Sequence, residues 1–206
     1  MHIAIVGAGN VGWALGNGWR KAGHDVRYAL RDATGKSADK VKGAGFATLP
    51  MGEAAVTSEV TLLAVPWGGV ADAVKALGDL SGKVLVDATN PLTPVLELAL
   101  GFTDSAAETV ARLAPGARVV KAFNTTGADN MAGAHDFKVK AMMPVASDDA
   151  DAKATVLKLA EDLGFEPVDA GPLRSARLLE PMAMFWIKQA YVQKFGRDFA
   201  FALTRK

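Results

Sequence analysis

The chain has 206 residues, half of them hydrophobic and 22% charged, with a formal net charge of +1. Such a balance belongs to a folded globular protein with room for one domain and a small annex. The near-neutral charge gives no electrostatic case for nucleic acid or an anionic membrane surface. Cysteine is absent, which excludes disulfides, thiol nucleophiles and thiolate metal sites. The three histidines, His2, His24 and His135, lack metal-ligand spacing, so histidine-based zinc chemistry is not expected. No apolar run reaches about 18 residues, so no membrane span is expected. A strand beginning at the second residue leaves no room for a signal peptide, and a cytoplasmic location is the expectation.

Residues His2 to Val6 are apolar and read as a buried strand. Gly7, Ala8, Gly9, Asn10, Val11 and Gly12 follow, and a helix is expected from Val11 to about Ala22. Strand, G-x-G-x-x-G, helix is the order a dinucleotide site requires. The first glycine makes the tight turn, the second lets a pyrophosphate approach, and the third lets helix and strand pack. The helix N-terminus offers unpaired N–H groups and a positive dipole end. Gly16 and Gly18 inside this helix read as close packing on the sheet. His24, in the following turn, is expected to be exposed.

Strands are expected at Asp25–Leu30, Phe46–Leu49, Val60–Val65, Lys83–Asp87, Arg118–Phe123 and Phe165–Asp169, with an extended stretch at Lys138–Val145. Helices are expected at Lys36–Lys42, Met51–Thr57 and Gly68–Leu77. A further helix, ending at Leu113, has Ser105 and Glu108 as a capping box. Residues 91–103 read as a proline-rich loop with a short helix. Ser147 or Asp148 caps a helix to Leu163. A long last helix is expected from Arg174 to about Phe195, then a terminal strand at Phe199–Leu203. Strands alternating with helices imply a parallel sheet covered on both faces, here a doubly wound Rossmann α/β fold. Its ligands belong at the carboxyl ends of the strands, which selects residues 7–12, 30–32, 65–69, 88–92 and 123–127.

At the end of the second strand Arg31 can pair with a 2′-phosphate through its charged fork, which favours NADP. The competing reading makes Asp32 an acid on the ribose 2′-hydroxyl of NAD. Val65, Pro66 and Trp67 end another strand, where they can pass beside a ribose or nicotinamide, or Trp67 can simply pack at a helix start. Asn90 and Asn124, with neighbouring threonines, suit a carboxamide or polar heterocycle, though Asn and Thr also serve ordinary turns. Acid–base groups are few. His135 lies in a polar loop, and Lys121 is expected to face away. Hydride transfer to a flavin-type ring needs less of a proton donor than carbonyl reduction does, because the cofactor carries the chemistry.

These residues resemble the NADPH-dependent reductases of the deazaflavin coenzyme F420. The matching pieces are Ile5-Val-Gly-Ala-Gly-Asn-Val-Gly12, Ala22-Gly-His-Asp-Val26, Leu30-Arg31-Asp32, Val65-Pro66-Trp67, Phe102-Thr-Asp-Ser-Ala-Ala-Glu108, Lys121-Ala-Phe-Asn124, and Asp169 through Glu180. Leu30 stands where family members often carry a small hydroxyl residue. The resemblance implies a nucleotide-binding Rossmann domain over residues 1–145 and a small C-terminal α/β annex over 146–206, often in a homodimer. It implies hydride transfer between NADPH and F420 or a flavin, with pyrophosphate on the Gly7–Gly12 loop, 2′-phosphate on Arg31, and Pro66-Trp67 on the nicotinamide side. Other readings of the same residues are an NADP-dependent reductase of a small imine or hydroxy acid, and a non-catalytic NADP-responsive module.

Overall fold

The computed structural model describes residues 1–32 and 34–206. Six parallel strands form the main sheet: β1 (His2–Val6), β2 (Asp25–Ala29), β3 (Ala47–Leu49), β4 (Val60–Leu63), β5 (Val84–Asp87) and β6 (Arg118–Lys121). Their order, β3-β2-β1-β4-β5-β6, is that of the doubly wound Rossmann sheet, and the strand order reverses beside β1. Helices α1 (Asn10–Lys21), α2 (Lys36–Gly43), α3 (Met51–Thr57), α4 (Val70–Leu77) and α5 (Ala106–Leu113) make the crossovers. The pleat divides the apolar residues between the two faces. Ile3 and Ile5 of β1 join one buried cluster with Leu15, Trp19 and Tyr28, while Ala4 and Val6 join another with Val74, Leu77 and Val110.

A short helix, α6 (Ala128–Met131), leads to β7 (Met142–Val145), α7 (Ala150–Asp162) and β8 (Glu166–Asp169). Strands β7 and β8 pair in parallel as a second, two-stranded sheet. An antiparallel bridge between Lys121 and Ala146 joins it to the edge of β6. The chain ends with α8 (Ala176–Ile187), which runs into a π-helical turn at Lys188–Val192.

Several boundaries differ from the sequence reading. Strand β6 ends at Lys121 because Phe123 takes a left-handed φ of +56°, which breaks the pleat. Residues 91–103 hold no helix; Leu92 and Leu98 pair in an antiparallel bridge instead. Asp149, not Ser147 or Asp148, caps α7, its side chain accepting from the Ala152 N–H at 2.8 Å. The last helix, including its π-helical turn, reaches Val192, close to the expected end. Phe199–Leu203 forms no strand: the Phe201 carbonyl accepts from the Met142 N–H, but the Phe199 carbonyl accepts from the side chains of Asn130 and Trp186, and its ring stacks on Trp186. Gly16 leaves room for the Tyr28 hydroxyl of β2, whereas Gly18 leaves room for Leu163, at the end of α7 rather than on the sheet. His24 is largely buried, its Nε2 3.1 Å from Asp162 Oδ2.

The cap of α5 is half of the expected box. Ser105 Oγ accepts from the Glu108 N–H at 3.2 Å, but the Ser105 N–H goes to Asp104. The Glu108 carboxylate instead takes the Ser105 hydroxyl and a two-bond fork from Arg177. That guanidinium holds the Glu108 carboxyl below its ordinary value. Ser105→Ala removes the cap at a fully buried position and is expected to cost about 1 kcal/mol in chemical denaturation.

Candidate active site

Three adjoining depressions run along the carboxyl ends of the strands. The largest, of about 510 Å³, lies over β1 and β2 and is lined by Gly7, Ala8, Arg31, Lys36, Val65 and Pro66, among others. The next, about 360 Å³, shares Val65 and Pro66 and adds Gly9, Asn10, Val11, Trp67, Thr89 and Asn90. The third, about 420 Å³, shares Asn10, Val11 and Asn90 and reaches Asn124, Trp186 and Tyr191. Eleven of the twelve residues singled out in the sequence therefore stand on one continuous trough, and Gly12 is buried below it.

The glycine loop is built for this approach. Gly7 has φ +106°, and a Cβ there would fall on the carbonyl oxygen of Ala64. A Cβ on Gly12 would fall on the Gly7 carbonyl oxygen, so the third glycine lets α1 sit against the loop. The Tyr28 hydroxyl donates to the Gly12 carbonyl at 3.0 Å and fixes that helix start to β2. Gly9 differs: a Cβ there would meet no protein atom within 4 Å. The fold does not need this glycine for packing, and its bare backbone faces the trough. Asn10 and Val11 open α1, whose first N–H groups have no partner within the helix. This is a cradle suited to a pyrophosphate.

At the end of β2, Asp32 is engaged in its own turn. Its Oδ1 accepts from both the N–H and the hydroxyl of Thr34 at 2.8 Å, and these bonds hold the carboxyl below its ordinary value. Arg31 and Lys36 make no hydrogen bond or ion pair among the described residues, and both border the 510 Å³ cleft together with Ser37. Among the described residues, two unpaired cations and a hydroxyl at this end of the trough fit a phosphate monoester. The sequence reading named Arg31 and missed Lys36 and Ser37. The signal available for them was their place at the start of the next predicted helix.

Trp67 lines the middle depression and also packs against the second core cluster. Asn124 is presented by the strained Phe123 backbone, which is retained because the Phe123 ring is buried edge-on to Trp19 at 5.3 Å. Asn124 Nδ2 donates to Asn90 Oδ1 and to the Leu179 carbonyl, both at 3.1 Å. Asn90 returns a bond to the Asn124 carbonyl at 3.1 Å. His135 lies off the trough, its ring packed against Gly164.

Lys121 lines none of the three depressions and points into a buried charge cluster instead. Lys121 is fully buried, 2.9 Å from both Asp87 and Glu180, and it donates to the Thr89 carbonyl at 2.5 Å. All three ammonium protons are used. Glu180, from α8, also accepts from the Ala106 N–H at 2.9 Å and so caps α5 from outside. Burial pushes the Glu180 carboxyl above its ordinary value, with Lys121 pulling the other way. Among the described residues no group of His, Asp or Glu is placed to hold a metal, and no helix is long and apolar enough to cross a membrane.

Residues 2–91 match the family model described as NADP oxidoreductase, coenzyme F420-dependent. A solved structure from Arthrobacter sp. FB24, assigned as an F420 dependent NADP-reductase, superposes with a TM-score of 0.86 at 28% identity, over 98% of this chain and 99% of that one. A hypothetical protein from Sinorhizobium meliloti superposes with a TM-score of 0.76 at 30% identity, over 100% of this chain and 96% of that one. The metalloreductase STEAP3 of Rattus norvegicus is 35% identical over 133 residues, which is 64% of this chain and 26% of that protein. The chain thus spans about a quarter of that curated relative's length.

Proposed function

We propose that this chain, whose residues 2–91 match the family model of coenzyme F420-dependent NADP oxidoreductases, transfers a hydride between NADPH and a ring, either the deazaflavin F420 or a flavin. The observation that carries this is the division of labour along the trough. Among the described residues, unpaired Arg31 and Lys36 stand at one end, while no charged residue lines the 420 Å³ depression at the other.

In this reading the Gly7–Gly12 loop and the α1 N-terminus hold the pyrophosphate. Arg31, Lys36 and Ser37 hold the 2′-phosphate, and Asp32 is left to its turn. Val65, Pro66, Trp67 and Asn90 flank the nicotinamide. Asn124, Leu92, Trp186 and Tyr191 enclose the ring that exchanges hydride with it. Residues 1–145 carry the nucleotide and the annex of 146–206 supplies α8 as the far wall. NADPH supplies the hydride; the chain aligns the two rings and excludes water from between them. A keto or imino acid would require a cation for its carboxylate, and the 420 Å³ depression offers none. Pairing of two copies through the exposed side of α8 belongs to the same proposal, and a monomer at every concentration in sedimentation equilibrium would remove it.

The test is NADPH oxidation with F420, FMN, FAD, a 2-keto acid and a cyclic imine offered separately. Turnover confined to the ring acceptors supports the reading. Turnover of the keto acid or imine alone refutes it.

A further inference from the structure

Two buried oxygens on the trough have no hydrogen-bond partner among the described residues: Thr89 Oγ1 and Asn124 Oδ1. Their residues are 3% and 4% exposed. Thr89 borders the 360 Å³ depression, Asn124 the 420 Å³ one, and Asn90 borders both. Such atoms are costly to leave unpaired and are uncommon in folded proteins.

Everything around them is committed. The Thr89 N–H donates to Asp87 Oδ1 at 2.9 Å and its carbonyl accepts from Lys121, so the peptide is clamped on both sides and only the hydroxyl is spare. The Asn124 amide cannot turn over. Its two neighbours, Asn90 Oδ1 and the Leu179 carbonyl, are both acceptors, which fixes the nitrogen toward them and leaves the oxygen spare. Leu179 precedes Glu180, which is bound to Lys121. One buried trio therefore fixes the Thr89 peptide and anchors the segment of α8 that holds Asn124.

We propose that Thr89 Oγ1 and Asn124 Oδ1 are the atoms with which this trough recognises amide groups on its ring ligands, and that the Asp87–Lys121–Glu180 trio positions them. The inference rests on the nucleotide-and-ring reading given above. A hydroxyl that can donate suits an amide carbonyl, and an oxygen that can only accept suits an amide N–H. Two sources carry an amide: the nicotinamide carboxamide and the lactam or imide edge of a deazaflavin or flavin.

Thr89→Val separates the possibilities, since it deletes the hydroxyl at nearly constant volume. NADPH is titrated by fluorescence without any acceptor, thermal melting is recorded in parallel, and KM for F420 and FMN follows. The Kd for NADPH is expected to rise about tenfold, the effect of one lost hydrogen bond. The melting temperature should stay constant or rise, because an unpaired buried hydroxyl has been removed, and Thr89→Ser should restore binding. The 3-acetylpyridine analogue of NADPH, in which a methyl replaces the amide NH2, should bind wild type more weakly by a similar factor. Unchanged NADPH binding with a raised acceptor KM supports the proposal and assigns the amide to the acceptor ring. A lowered melting temperature with ligand parameters unchanged makes the hydroxyl structural and overturns it, as does no change in any parameter. Wild type that binds no NADPH overturns the function proposed above, and this inference with it.

Discussion

Lys121→Met is expected to cost about 3–5 kcal/mol of folding stability, because it strands two buried carboxyl groups without their cation. Asp87, Lys121 and Glu180 are all fully buried. Taking the ammonium away leaves Asp87 with only the Thr89 N–H, and leaves the Thr89 carbonyl without the Lys121 bond. The methionine fills much of the volume, so the loss reflects charge and hydrogen bonding more than a cavity. Glu180→Gln should cost less, since the amide oxygen still accepts from the Ala106 N–H and Lys121 keeps Asp87. Urea denaturation of the two variants checks the order. A Lys121→Met protein as stable as wild type would mean that the trio contributes no net stability.

Arg31→Ala is expected to lower kcat/KM for NADPH by about 10- to 100-fold, the range for lost charge-assisted hydrogen bonds, and to leave kcat/KM for NADH nearly unchanged. Arg31 makes no bond among the described residues, so its removal breaks no internal contact. The effect therefore reports on the 2′-phosphate alone, the only chemical difference between the two nucleotides. Lys36→Ala should act in the same direction and less strongly, because an ammonium gives a point charge where a guanidinium gives a fork. Equal losses for NADPH and NADH would place Arg31 on the pyrophosphate or outside the site, and would return the ribose to Asp32.

Much of this was legible in the sequence, for identifiable reasons. Strand β1, the glycine loop and α1 follow one another with strong local signals, and they fix the rest of the sheet through the connection rules of parallel strands. Arg31, Val65, Asn90 and Asn124 were reached by one step of topology, because each ends a strand. The trio was not reached. Asp87 and Lys121 lie 34 residues apart and Glu180 still further on, so no spacing pattern joins them. A signal did exist: in adjacent parallel strands the register pairs Asp87 with Lys121, two opposite charges inside apolar runs. The π-turn at Lys188–Val192 and the left-handed Phe123 were also out of reach, since both are tertiary choices imposed on sequences that locally suit ordinary helix and strand.

The most direct test of the central claim follows the hydrogen itself. NADPH carrying deuterium at both C4 positions of the nicotinamide is incubated with the protein and F420, and the reduced deazaflavin is analysed by mass spectrometry and NMR. Direct hydride transfer between rings aligned in this trough predicts deuterium on the carbon at position 5 of the reduced ring, in water of ordinary isotopic composition. Reduced F420 without the label, or NADPH left unoxidised by F420 and by flavins alike, would contradict it.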